Sequence, residues 1–206
     1  MKLTDYMKKA EAVYKEYGAK FAEELQEDAK ILASIDSVRT SRDFTEEGKA
    51  SRIANLRRES EKHKANMAAL AAAANEKAAE IRKEVAQGFY GHFHAMPAAI
   101  DPNGMELLRS GILTDAELVN LTNSYEGNNT MERICATYLE KSGDKALQQM
   151  ASVIKSKGHN DVHLRCIDSI IDVGRRCVGD TNAPVFLQKF DEITAQTYAA
   201  APDISD

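Results

Sequence analysis

The sequence predicts an all-α protein, and three observations carry that prediction. The stretch from Thr45 to Gly88 has no Pro and repeats apolar or small residues at steps of three and four. Aromatic residues make up only 6% of the 206, with no Trp, which suits packing between Ala- and Leu-rich helices. Pro is held to 4 and Gly to 11, and most of the Gly fall where helical patterns stop. The expected architecture is a long N-terminal antiparallel coiled-coil hairpin (residues 1–88), a linker (89–104), a C-terminal bundle of short helices (105–200) and a loose tail (201–206).

In chain order, Thr4 is the expected N-cap of the first helix, with Asp5 favourable in its first turn. Its apolar seam reads Leu3, Tyr6, Ala10, Val13, Tyr17, Phe21, Leu25, Asp28, Leu32, Ile35, and it runs to about Val38. Thr40, Ser41 and Asp43 form a turn, and Thr45 caps the second helix. The second seam reads Ile53, Leu56, Ser60, His63, Met67, Leu70, Ala74, Ala78, Ile81, Val85. A helix of this length extends about 65 Å and cannot bury its stripe against itself, so it needs a partner. Folding the two seams antiparallel sets Leu3 opposite Ile81, Ala10 opposite Ala74 and Phe21 opposite His63, within about one turn. Both seams contain a four-four step, a stutter that locally unwinds a supercoil. Asp28 on the first seam and His63 on the second place an acid and an imidazole at seam positions. Asp28 either pairs with Arg57 or rotates out to water, and His63 reads as a satisfied seam residue rather than a pH switch.

Beyond Val85 the composition shifts. Gly88, Gly91, Pro97, Pro102 and Gly104 mark the linker. Asp101-Pro102 opens a short helix that Gly111 stops. Thr114 and Glu117 form a capping box for a helix with Leu118, Leu121 and Tyr125 on its stripe, ended by Gly127. Asn129 or Thr130 caps a third, with Met131, Ile134, Cys135, Tyr138 and Leu139 on one side. Helices are also expected over 144–157, over 161–178 behind Asn160, and as one unbroken segment from Pro184 to Ala199.

The net charge is -5, which starts a general nucleic-acid role at a disadvantage. The charge is uneven: residues 51–100 hold eight Lys or Arg against five Asp or Glu. The basic excess gathers on the second long helix at Arg52, Arg57, Arg58, Lys62 and Lys64. Glu59 and Glu61 interrupt it and the five residues spread around the helix, so a solvated face is preferred over a phosphate-binding one. Further along, Ala68, Ala69 and Ala72 belong to a run with no charge for more than a turn. With Tyr14 and Ile31 left off the first seam, this run is the expected site of self-association.

Three cysteines, Cys135, Cys166 and Cys177, lie in helical patterns without a C-x-x-C, so free buried thiols and a reducing compartment are expected. The start MKLTDYMKKAEAV lacks a signal-peptide core, and no apolar run is long enough to span a membrane. A cytoplasmic protein follows, without membrane attachment. His92 and His94 could share a metal only on an extended chain, and His159 and His163 only if both are helical; no metal or cofactor is expected. No phosphate-binding, dinucleotide-binding or nucleophile-elbow motif occurs, and no catalytic residues are assigned.

The segment LLRSGILTDAELVNLTNSYEGNNTMERICATYLEK places a short helix, S-G-I-L-T, an acid-capped helix and an N-x-T-M-x-R-I helix after a long charged coil. Over about residues 105–140 it resembles small helical proteins from the head-assembly gene neighbourhood of tailed phages and prophages of Gram-positive bacteria. The resemblance implies a non-enzymatic structural protein of particle assembly, scaffold-like or a minor component, in the host cytoplasm or the virion. It implies homo-oligomerisation through the coiled coil and a second, capsid-related protein partner. The alternative is a nucleic-acid-associated protein using the basic face of the second helix.

Overall fold

A computed structural model describes residues 1–157 and 161–204. Among the described residues it is all-helical, with ten α-helices, one 3-10 turn and no strand. Two long helices, α1 (Leu3–Thr40) and α2 (Glu46–Gly88), pack together. Short helices follow: α3 (Tyr90–Phe93), the 3-10 turn Pro97–Ala99, α4 (Pro102–Ser110), α5 (Asp115–Ser124), α6 (Asn129–Leu139), α7 (Lys145–Lys157), α8 (Val162–Arg176), α9 (Ala183–Gln188) and α10 (Phe190–Ala200). His159 and Asn160 lie outside the described residues.

Contacts divide the chain into two units. One combines Met1–Glu84 with Leu164–Ile204, and the other is Val85–His163. This differs from the division expected at residues 88 and 105. The last three helices do not join the short-helix bundle; they pack along α1. Two glycines show why. Gly174 of α8 lies against the ring of Tyr14, and a Cβ there would stand 2.1 Å from a ring carbon. Gly18 of α1 leaves room for the Cys177 carbonyl and the Leu187 side chain, each 3.2 Å from where its Cβ would be. Polar links tie down the remainder. Lys15 bridges Glu11 at 2.7 Å and Asp191 at 2.6 Å, Tyr198 donates to Glu11, and Arg82 grips both oxygens of Asp168 at 2.5 and 2.9 Å.

The buried stripe of α1 is rotated from the expected seam for the same reason. Leu3, Tyr6, Ala10, Phe21, Asp28 and Ile35 are buried as expected, and Met7, Tyr14, Gly18, Ile31 and Val38 join them. Leu32, placed on the seam, is 46% exposed. A helix contacted on two sides buries a wider arc than one seam. Tyr14 is core by that contact, and Ile31 is core because it shares the buried Asp28–Ile35 side that faces α2; neither is a spare face for association. Burial pushes the Tyr14 hydroxyl up to about 12, so it stays a donor, and it bonds Asn75 Oδ1 of α2 at 2.8 Å.

The second seam is buried or half-buried throughout, and Ser60, Ala74, Ala78, Ile81 and Val85 are its deepest members. The pairing is antiparallel, but the hydrogen bonds Tyr14–Asn75 and Ser60–Asp28 and the contact between Glu24 and His63 shift the register by about one turn. Ala10 consequently falls opposite Ala78 rather than Ala74.

At the start of α1 the cap is Lys2, not Thr4. Asp5 Oδ2 accepts the Lys2 N–H at 3.0 Å, and the Ile204 carbonyl accepts the Leu3 N–H at 3.2 Å. Lys2 also pairs with Asp203, so residues 201–204 are tied to α1 rather than loose. The segment expected from Pro184 to Ala199 is broken at Lys189, which lets Leu187 reach Gly18 while Phe190 is fully buried. Thr45 does cap α2, accepting the Gly48 N–H at 3.2 Å.

In the second unit, residues 89–104 are not a free linker. Phe89 is fully buried, with its ring edge-on to His163 at 6.3 Å. Met96 N–H donates to Thr130 Oγ1, Asn128 Nδ2 to the Ala99 carbonyl, and Tyr125 O–H to Asp101. These bonds dock the segment on α6. Asn128 is also the N-cap of α6, one residue before the expected Asn129, because its Oδ1 accepts the Met131 N–H. The expected caps at Asp101 and Thr114–Glu117 are formed. Leu108, Leu118, Met131, Cys135, Leu139 and Ile154 make the core of α4 to α7.

Two outcomes test this packing. Cysteines at 10 and 78 should crosslink within one chain on oxidation, while a 10–74 pair should lag, as read on non-reducing gels. Gly174→Ala should destabilise the protein by about 1–3 kcal/mol through overpacking against Tyr14, lowering Tm in a thermal scan.

Candidate interaction surface

The outer face of α2 holds every residue singled out as an interaction candidate. Arg52, Arg57, Arg58, Lys62, Lys64, Ala68, Ala69 and Ala72 are all exposed. The structure does not gather the five cations into one patch. Arg52 lies 5.4 Å from the Phe44 ring at the hairpin turn. Lys64 pairs with Glu61 at 3.1 Å, one turn back on its own helix. Arg57 and Lys64 share a groove of about 600 Å³ with Arg39, Asp36, Glu61, Leu32, Ile35 and Ser60. Acids and bases are mixed within it, as the interspersed Glu59 and Glu61 suggested.

Beyond Lys64 the surface loses its charge. Residues 65–75 read Ala-Asn-Met-Ala-Ala-Leu-Ala-Ala-Ala-Ala-Asn. Met67, Leu70 and Ala74 turn inward with the seam, while Ala65, Ala68, Ala69 and Ala72 face out. Residues 65, 68, 69 and 72 are spaced so that they share one side of a helix. The result is a shallow uncharged strip, where a second helix could approach without displacing long side chains.

Behind this face the two helices are joined by polar layers that the sequence did not show. Asp28 is buried, and Ser60 Oγ donates to it at 2.5 Å. It reaches neither Arg57 nor water, the two expected outcomes, because the shifted register brings Ser60 opposite. His63 Nδ1 lies 2.6 Å from Glu24 Oε2, and Asn66 Nδ2 donates to the other oxygen at 3.2 Å. Ser60, Glu24 and Asn75 carry these layers and were not singled out. Their signal was a register correct to the residue, which seam matching does not supply.

Elsewhere the chemistry is quiet. Cys135, Cys166 and Cys177 are free and buried. Burial raises all three thiols, Cys177 to about 11, so each stays protonated near neutral pH and is a poor nucleophile. Among the described residues no group of three or more His, Cys, Asp or Glu is placed to hold a metal ion. His94 stacks on Tyr90 at 4.2 Å, and His92 lies 6.0 Å from Phe89. The second unit has a depression of about 430 Å³ at Gly88, His92, Met96 and Asn128 and a smaller one of about 190 Å³ at Thr122, Glu132 and Met150. No described helix is long and apolar enough to cross a membrane. No family model, curated protein or solved structure matches the chain.

Ser60→Ala alone should cost about 1–3 kcal/mol, because Asp28 loses its donor while buried. Adding Asp28→Leu should recover most of that loss, since no charge is then left without a partner. Urea denaturation of the two variants measures both effects.

Proposed function

We propose that this chain is a non-enzymatic assembly protein, which self-associates through the outer face of a coiled-coil hairpin. The observation that carries this reading is the uncharged strip of Ala65, Ala68, Ala69 and Ala72, exposed on a helix that runs from Glu46 to Gly88. A long solvent-facing helix would ordinarily carry charge there, and small residues allow another helix to pack closely. The packing of α8 to α10 along α1 adds to the argument, because it leaves the outer face of α2 as the hairpin's open side.

The resemblance over about residues 105–140 directs the proposal toward particle assembly in tailed phages and prophages. In that setting the chain would act as a scaffold-like or minor structural component in the host cytoplasm or virion. The short-helix unit would then engage a second, capsid-related protein. Nucleic-acid binding through Arg57 and Lys64 is disfavoured by Asp36 and Glu61, which share their groove and would repel phosphate.

Sedimentation velocity of the purified chain tests the reading. Species larger than a dimer should form as concentration rises, and Ala69→Glu with Ala72→Glu should abolish them while leaving helicity unchanged. A chain that forms no such species at high concentration removes the physical support for this role.

A further inference from the structure

We propose that the groove at the turn end of the hairpin is a second, separate self-association site, which pairs two copies across a two-fold axis. The inference deepens the assembly reading and rests on it in one respect. An isologous interface closes on itself at two copies, so a protein that builds larger assemblies through helix faces needs another contact.

The groove has both an apolar floor and unmet charge. Leu32 and Ile35 of α1 line its base, and Leu32 is 46% exposed although it lies on the apolar side of its helix. The hydrogen bonds and the close approach that tie α9, α10 and the tail to α1 fall between Lys2 and Gly18. From Ala22 onward α1 and α2 form a two-helix layer held by the polar layers Glu24–His63 and Asp28–Ser60. A two-helix layer leaves the edges of its seam open, and two such layers stacked make a four-helix bundle.

The charges name the occupant. Arg57 lines the groove and is exposed, and among the described residues it forms no ion pair. Among the described residues Asp36 pairs with Arg39, one turn away on the same helix, at 3.1 Å and with both side chains more than half exposed. Such a pair contributes little and can be exchanged. More widely, the exposed charges of α1 over residues 23–39 are Glu23, Glu27 and Asp36 against Lys30 and Arg39, while residues 52–64 of α2 hold five Lys or Arg against Glu59 and Glu61. A two-fold axis through the groove lays α1 of each copy over the basic stretch of α2 of the other. It sets Asp36 of one against Arg57 of the other twice, with Leu32 meeting Leu32 between them.

Charge exchange tests the arrangement on the full-length chain. Arg57→Asp and Asp36→Arg are both surface changes, and circular dichroism should show unchanged helicity. Each alone should weaken dimerisation at least about tenfold by sedimentation, since each places like charges opposite one another. An equimolar mixture of the two should restore the dimer, because one pair then keeps its native sign and the other is re-formed with its signs exchanged. Leu32→Lys should also give monomers, and dimerisation of the native chain should weaken as salt rises. Dimers that persist in both charge variants, or variants that do not recover on mixing, overturn the groove pairing, as does binding of an acidic helical peptide to a chain that stays monomeric. The Ala69→Glu, Ala72→Glu variant separates the two ideas. If it still dimerises but forms nothing larger, both sites stand. If the native chain dimerises through the groove and never grows further, the alanine strip fails while the groove survives.

Discussion

Tyr14 sits where three helices meet. Its hydroxyl reaches Asn75 of α2, and its ring covers Gly174 of α8. A phenol is long enough to span from one helix to a second while filling the space beside a third, and burial keeps its proton on. Much of the first unit depends on that placement. It fixes the register of α1 against α2, and it requires glycine on α8 at the point of contact. One turn on, Gly18 receives Cys177, just past the end of α8, and Leu187 of α9. A smaller residue at 14 would leave a void shared by three elements, where side-chain loss is most costly.

The hairpin changes character along its length. Near its open end it is a layered core of Leu3, Met7, Ala10, Ala74, Ala78 and Ile81, covered by the C-terminal helices. Toward its turn the contacts become polar, with Asp28 on Ser60 and Glu24 between His63 and Asn66. Buried polar pairs contribute less stability than apolar packing but penalise a slipped register heavily, since each slip leaves a buried group without its partner. The turn end is thus held in place more by specificity than by area. That leaves its apolar residues, Leu32 above all, partly in water.

The surface arguments follow from the same division of labour. Where α1 is sandwiched, Tyr14 is core, and farther along Ile31 is buried on the side that faces α2. Where α2 has no cover, its outer side is either charged with mixed sign or bare alanine. Mixed sign works against a polyanion and suits a protein surface that carries both charges. Burial raises the three thiols, and no metal cluster forms among the described residues.

Local chemistry was legible in the sequence. Heptad spacing located both long helices and the buried stripe of α2, because the side of α2 that packs on α1 is a single seam. Thr45, Asp101 and the Thr114–Glu117 box were readable as caps, since a cap is satisfied within four residues of itself. The exposure of Arg57 and Ala69 followed from their places off the seam. Tertiary structure decided everything that required a second surface. Only contact with α8 and α9 could make Tyr14 and Gly18 core, and only a docking partner such as Thr130 could turn residues 89–104 from a Gly- and Pro-rich linker into packed chain. Only the one-turn shift in register could give Asp28 to Ser60. A single sequence states the period of a helix's apolar face, but the same period fits several registers and several partners. The choice among them lies in the shapes of side chains that meet from opposite ends of the chain.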